Sequence, residues 1–109
     1  MAKKRKRSTK VKGVATCSVP VLFIKEQDMI IAYSPILDLS TCGETFAEAR
    51  QNFAEALDIF LKECIKRGTL DKVLESYGWQ KELRPRRAQW NPPNVIGQDR
   101  FPVNLSLAI

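Results

Sequence analysis

The sequence predicts an α+β fold: a three-stranded antiparallel sheet plus a C-terminal strand, packed against one long and one short helix. Three observations predict it. Runs rich in β-branched and aromatic residues, at 17–23 and 29–34, flank the polar stretch Lys25-Glu26-Gln27-Asp28 and read as a β-hairpin. Thr45-Phe46-Ala47-Glu48 has the spacing of a capping box and opens a stretch whose apolar residues recur every three or four positions. In the closing residues FPVNLSLAI, Phe101, Val103, Leu105, Leu107 and Ile109 alternate with Pro102, Asn104, Ser106 and Ala108, the period of a half-buried strand.

Residues 1–13 carry a block of like charge without apolar periodicity, which predicts a disordered basic tail. The domain proper is expected over residues 14–79. Pro20 cannot donate to a ladder, so the first strand belongs at a sheet edge. A third strand over residues 36–41 puts Leu37 and Leu39 on one face and Asp38 and Ser40 on the other, and Cys42-Gly43 ends it. In the long helix Phe46, Ala49, Phe53, Ala56, Leu57, Phe60, Leu61 and Cys64 share the buried face. Gly68 stops it behind Lys66 and Arg67, two cations at its negative end. Thr69 then caps a short helix with Leu70, Val73, Leu74 and Tyr77 inward and Gly78 as its stop. Residues 80–100, with Pro85, Pro92, Pro93 and Gly97, are expected to be an irregular connection. The strand at 101–109 then pairs within the chain or with a second copy.

A chain of 109 residues is one small domain. A domain of this size buries only about 60–65% of its unfolded surface, so a partner or a second copy adds much to its stability. The net charge of +6 is unevenly spread. Residues 1–12 hold seven Lys/Arg and no acid, residues 13–79 hold six basic and ten acidic residues, and the remainder holds five basic and two acidic. An acidic body of −4 thus separates two basic segments, an asymmetry that concerns partners rather than fold. Cys17, Cys42 and Cys64 are widely spaced, with no CxxC and no histidine, which supplies no zinc ligand set and fits a reducing cytosol better than secretion. The basic start and VATCSVPVLFI mimic a signal peptide, but Thr16, Ser18 and Pro20 interrupt the apolar run and Lys25-Glu26 stands where a cleavage site belongs. No apolar run approaches the roughly 18 residues of a membrane span.

Asp38 reads either as a catalytic acid or as a structural or interface residue. Chemistry by paired acids or two metal ions needs convergent carboxylates, and the first three strands add only Glu26 and Asp28 from a turn. Without histidine, a Gly-rich phosphate loop or GxSxG, neither a general base nor an activated nucleophile is assembled, so no catalytic residue, metal or cofactor is expected. Trp79 and Trp90 flank a basic stretch from Lys81 to Arg87, and either stack on nucleobases or pack against the second helix and the loop. Lys3, Lys4, Arg5, Lys6 and Arg7 suit sequence-blind contact with nucleic-acid phosphates; a solubility tail or a localisation signal has the same composition.

The stretch AYSPILDLSTCGETFAEA, residues 32–49, resembles the signature of HicB-type antitoxins, close to AYxPxLDLxTxGxTxxEA followed by a long helix and often a Gly-Trp such as Gly78-Trp79. The resemblance covers residues 14–79. It implies a partial RNase H-like fold without that fold's catalytic carboxylates, and a cytoplasmic antitoxin of a HicAB-like toxin-antitoxin system. Such a protein binds a small, basic, RNA-cleaving HicA-type toxin, represses the shared operon, and forms a homodimer or higher oligomer with no membrane contact. Tyr33, Asp38 and Glu44 in the signature are then the expected toxin-binding residues. Many members add a helix-turn-helix or ribbon-helix-helix domain, whereas the residues after Trp79 here are Pro-rich and end in one strand, so operator binding is expected only where the basic N-terminal tail or the complex supplies it, and any DNA or RNA contact falls to the basic segments. A stand-alone nucleic-acid-binding protein using the basic N-terminal tail is the competing expectation.

Overall fold

The computed structural model describes residues 14–108. In chain order they form strands β1 (Val14–Thr16), β2 (Leu22–Glu26), β3 (Met29–Ser34) and β4 (Leu39–Gly43), helices α1 (Phe46–Arg67) and α2 (Leu70–Ser76), and strands β5 (Gln80–Arg84) and β6 (Arg87–Asn91). The architecture is α+β, as predicted. β2, β3 and β4 make one antiparallel sheet in that order. A second sheet has the order β1-β6-β5, with β1 parallel and β5 antiparallel to β6. No helix among the described residues is long and apolar enough to cross a membrane.

The hairpin is shifted from its expected bounds. β2 begins at Leu22, after Pro20, and runs through Lys25 and Glu26, leaving Gln27 and Asp28 as a two-residue loop. Hairpin loops of this length need a positive φ, which Gln27 supplies at 55°. Charged residues are tolerated in β2 because it is an edge strand whose every residue is exposed.

The third strand is corrected in the same way. It starts at Leu39, and residues 35–38 form a four-residue loop whose last residue, Asp38, takes the left-handed φ of 52°. Asp38 is therefore a turn residue, not a strand residue. Pro35 offers no donor, and aspartate is among the few side chains that tolerate this conformation. With the alternation broken, Ile36 and Leu37 are both buried, at the centre of a cluster with Leu74, Trp79 and Trp90.

Helix α1 follows its sequence signals closely. The Glu48 amide donates to Thr45 Oγ1 at 3.0 Å, although the Glu48 carboxylate accepts from the Glu44 amide rather than from Thr45. Gly68, at φ 70°, ends the helix with its amide on Ile65 O and the Thr69 amide on Cys64 O, the Schellman arrangement. Ala49, Phe53 and Cys64 are buried, with Ala49 and Phe53 packing on Ala32 of β3. Phe46 was expected inside and is instead exposed at the helix start, its ring 4.4 Å from that of Phe23. The Thr69 side chain does not cap α2; its hydroxyl donates back to Cys64 O. Tyr77, also expected inside, is exposed, and Gly78 closes α2 with a second Schellman pair.

Residues 80–100 are not one irregular connection. Their first part is the β5-β6 hairpin, with Pro85 and Arg86 as its turn. Residues 92–108 carry neither helix nor strand, so among the described residues the closing segment is unpaired, and Phe101, Val103, Leu105 and Leu107 stand exposed. Its period is that of a strand, but a strand forms only against another strand's free edge. The expected nucleic-acid residues Lys3, Lys4, Arg5, Lys6 and Arg7, and also Ile109, lie outside the described residues.

Gly43 sits where β4 runs into α1. A Cβ there would lie 2.5 Å from the Ala49 amide nitrogen and 2.9 Å from the Glu48 carbonyl carbon, both backbone atoms of the helix. Gly43→Ala is expected to lower the unfolding free energy by about 1–3 kcal/mol in urea titrations, the cost of overpacking. Gly97→Ala, with nothing within 4 Å of its Cβ, serves as the control and stays within about 0.5 kcal/mol of the parent.

Candidate binding surface

Residues directly opposite in a ladder share a face, so the register divides the first sheet cleanly. Phe23, Ala32 and Thr41 form one row, and Ala32 is fully buried beneath α1. Leu22, Tyr33 and Ser40 form a row on the other face, as do Ile24, Ile31 and Cys42. Among the described residues no helix covers that second face. Leu22 and Ile24 are each 45% exposed, Ile31 and Tyr33 are half-buried, and Cys42 is an exposed free thiol.

Tyr33 and Asp38 meet at one rim of this open face. The four-residue loop returns the chain so that Asp38 comes beside β3, and the Tyr33 hydroxyl donates to Asp38 Oδ1 at 3.3 Å. Partial burial of the phenol, and the adjacent Asp38 carboxylate that repels the phenolate and accepts the hydrogen bond, raise the Tyr33 pKa above the ordinary tyrosine value. Glu44 lies at the opposite end of β4. Six residues at strand rise place it about 20 Å from Asp38, so the expected trio is one pair and one distant residue. Glu44 shares its end of the sheet with Glu26 and Asp28, because Glu26 pairs with Met29 and Gly43 with Ile30. Both rims of the face are therefore acidic.

The apolar centre, Leu22, Ile24 and Ile31, is what reading for polar residues missed. The signal was present. Val21-Leu22-Phe23-Ile24 and Met29-Ile30-Ile31 are continuous apolar runs rather than alternating ones, and continuous runs belong to strands covered on both faces. Among the described residues a helix covers only one. On the helix side, Val19, Val21, Phe23, Phe46, Phe53 and Leu57 line an open groove of about 1030 Å³.

Trp79 and Trp90 are 2% and 3% exposed and belong to the core, which removes them as stacking platforms for bases. Cys64 is buried, and Cys17, though exposed, has its thiol pKa raised by partial burial. Among the described residues no group of three or more His, Cys, Asp or Glu side chains is arranged to hold a metal ion. Protein interfaces join a desolvated centre to a polar periphery, and the layout of this face, an apolar centre between acidic rims, has the same pattern. Comparisons of the chain with protein-family models, curated proteins and solved structures find no match.

The Tyr33-Asp38 contact has a pH signature. Asp38→Asn in a Tyr77→Phe background is expected to move the alkaline absorbance titration of Tyr33 down toward the ordinary tyrosine pKa; an unmoved curve means the two groups do not interact. Because the folded pKa is raised, the stability it contributes is fully present below the unfolded tyrosine pKa of about 10 and is lost as pH rises through the folded value. Thermal melting of the parent should therefore fall more steeply than that of the variant across that alkaline window.

Proposed function

We propose that this chain is a HicB-type antitoxin, a cytoplasmic, non-enzymatic binding protein that covers a small, basic, RNA-cleaving HicA-type toxin. The observation that carries the reading is the open apolar face of the β2-β3-β4 sheet between acidic rims; its apolar centre precedes the family-like signature of residues 32–49, and its polar residues Tyr33, Asp38 and Glu44 lie within it. Tyr33 and Asp38 at one rim and Glu44 at the other are the polar contacts in this proposal, with Leu22, Ile24 and Ile31 as the centre. The excess of ten acidic over six basic residues in positions 13–79 favours a basic partner, because complementary potentials speed encounter and select the right surface. The proposal also includes a homodimer. The free edge of β2 and the unpaired Phe101, Val103, Leu105 and Leu107 are complementary needs that two copies meet together.

Co-expression tests the proposal. A small basic protein encoded directly beside this chain is expected to arrest growth when produced alone, to be tolerated when this chain is present, and to co-purify with it. Asp38→Asn keeps the turn's tolerance for a positive φ while removing the charge, and is expected to weaken the complex by about tenfold, or 1.4 kcal/mol. Absence of both toxicity and a complex would refute the proposal.

A further inference from the structure

The groove on the helix side of the first sheet and the closing segment are two unmatched halves. Val19, Val21 and Phe23 line the sheet side of the groove, and Phe46, Leu57 and Leu61 line its α1 side. β2 is the edge of that sheet, with β3 on one flank and, among the described residues, no strand on the other. From Phe46 to Leu61 the helix rises about 22 Å, and an extended strand from Phe101 to Leu107 spans about 20 Å. The lengths match.

The backbone decides how such a strand sits. A two-residue hairpin loop is closed by a hydrogen-bonded pair, here Glu26 and Met29, and bonded pairs alternate with non-bonded ones along the ladder. Leu22, Ile24 and Glu26 therefore bond to β3, while Phe23 and Lys25 turn their amides and carbonyls to the free edge. An antiparallel strand arriving there makes its bonded pairs with Phe23 and Lys25, and residues so paired lie on their face, which is the face of the groove. Pro102 sets the phase of the incoming strand. It has no amide to donate, so it faces outward together with Asn104, Ser106 and Ala108, and Phe101, Val103, Leu105 and Leu107 bond to β2. All four apolar side chains then enter the groove. Antiparallel docking on the open face, or parallel docking in the groove, would aim the Pro102 nitrogen at β2 and lose a ladder bond. Parallel docking on the open face would lay the apolar row where, among the described residues, no helix covers it.

We infer that the groove between β2 and α1 seats the closing segment of a second copy, antiparallel to β2, with Phe101, Val103, Leu105 and Leu107 inward. Pro92 shares a cleft with Cys17, which also lines the groove, so the chain leaves the fold near the end where β2 begins. Antiparallel pairing needs Phe101 at the other end. The chain's own tail would have to run the length of the groove and turn back over it, whereas in the single chain residues 94–108 are all exposed. A second copy delivers the segment directly, and a two-fold axis fills both grooves at once. The inference rests on the homodimer proposed above and assigns its contacts to the helix side, which leaves the open face of the sheet free for a different protein.

Size-exclusion chromatography with light scattering tests this on the full chain, which is expected to be a dimer. Val103→Asp/Leu105→Asp in the exposed segment, and Phe46→Asp at the groove, are each expected to be monomeric with parental circular dichroism. Asn104→Asp/Ser106→Asp, on the outward face, is expected to stay dimeric. In a Cys42→Ser background, Leu107→Cys is expected on oxidation to form a disulfide with Cys17 of the second copy, seen as a dimer on a non-reducing gel and abolished by Cys17→Ser, while Phe101→Cys forms none. A dimer that survives either Val103→Asp/Leu105→Asp or Phe46→Asp overturns the groove as the seat and leaves the homodimer standing. A disulfide formed within one chain overturns the second copy as the occupant, and a monomeric parent overturns the inference together with the homodimer.

Discussion

The arrangement depends on the seating of one loop. Residues 35–38 carry two consecutive apolar side chains, Ile36 and Leu37, out of the first sheet and into a pocket formed by Leu74 of α2, Trp79 and Trp90 of β6. The Trp79 indole donates to Ile36 O at 3.3 Å, satisfying two buried polar groups across 43 residues of sequence. An unpaired indole N–H or carbonyl in that setting costs about 1–3 kcal/mol, so the bond fixes direction as well as filling space. It joins the signature hairpin to the second sheet, and the Schellman end of α2, with the Trp79 amide on Leu74 O, sets the angle at which the indole arrives. The left-handed turn at Asp38 follows from this seating. With Ile36 and Leu37 held inward, the chain regains strand register at Leu39 only through a residue that tolerates a positive φ, and that residue's carboxylate is then delivered to Tyr33.

A small domain with such a core spreads its apolar residues thinly. Helix α1 covers one face of the first sheet through Ala49 and Phe53 on Ala32, and among the described residues no helix covers the other. Leu22, Ile24 and Ile31 are thus paid for in solvation by the isolated chain, and each is the kind of side chain whose burial contributes about 1.5–3 kcal/mol. Charge is arranged on the same plan. Acids rim the open face, while Arg84, Arg86 and Arg87 gather at the hairpin tip of the other sheet, so one small body carries surfaces of opposite sign.

Much of this was legible in the sequence where local chemistry decides the outcome. Thr45 and Glu48 mark the start of α1, and Gly68 and Gly78 mark helix ends that need a left-handed residue, because caps are set by the few residues around them. The β5-β6 hairpin was not legible. Its strands alternate around charged residues, with Trp90 the main buried anchor under the Lys81 stem, and Pro85 reads as a breaker although it merely starts the turn. Asp38 was misplaced because alternation of Leu37, Asp38 and Leu39 imitates a strand, and only the tertiary pocket for Ile36 and Leu37 breaks that period. The closing segment shows the reverse. Its period is unambiguous, yet it pairs with no strand among the described residues.

The central claim is that the uncovered face of the first sheet is a protein-docking surface. Its most direct test is co-purification of the neighbouring gene product with two charge insertions, Ile24→Arg on that face and Ile59→Arg on α1, where Ile59 is also exposed. The account predicts that Ile24→Arg loses the partner while remaining folded, since β2 is an exposed edge strand, and that Ile59→Arg retains it. Retention of the partner by Ile24→Arg at parental affinity would contradict it.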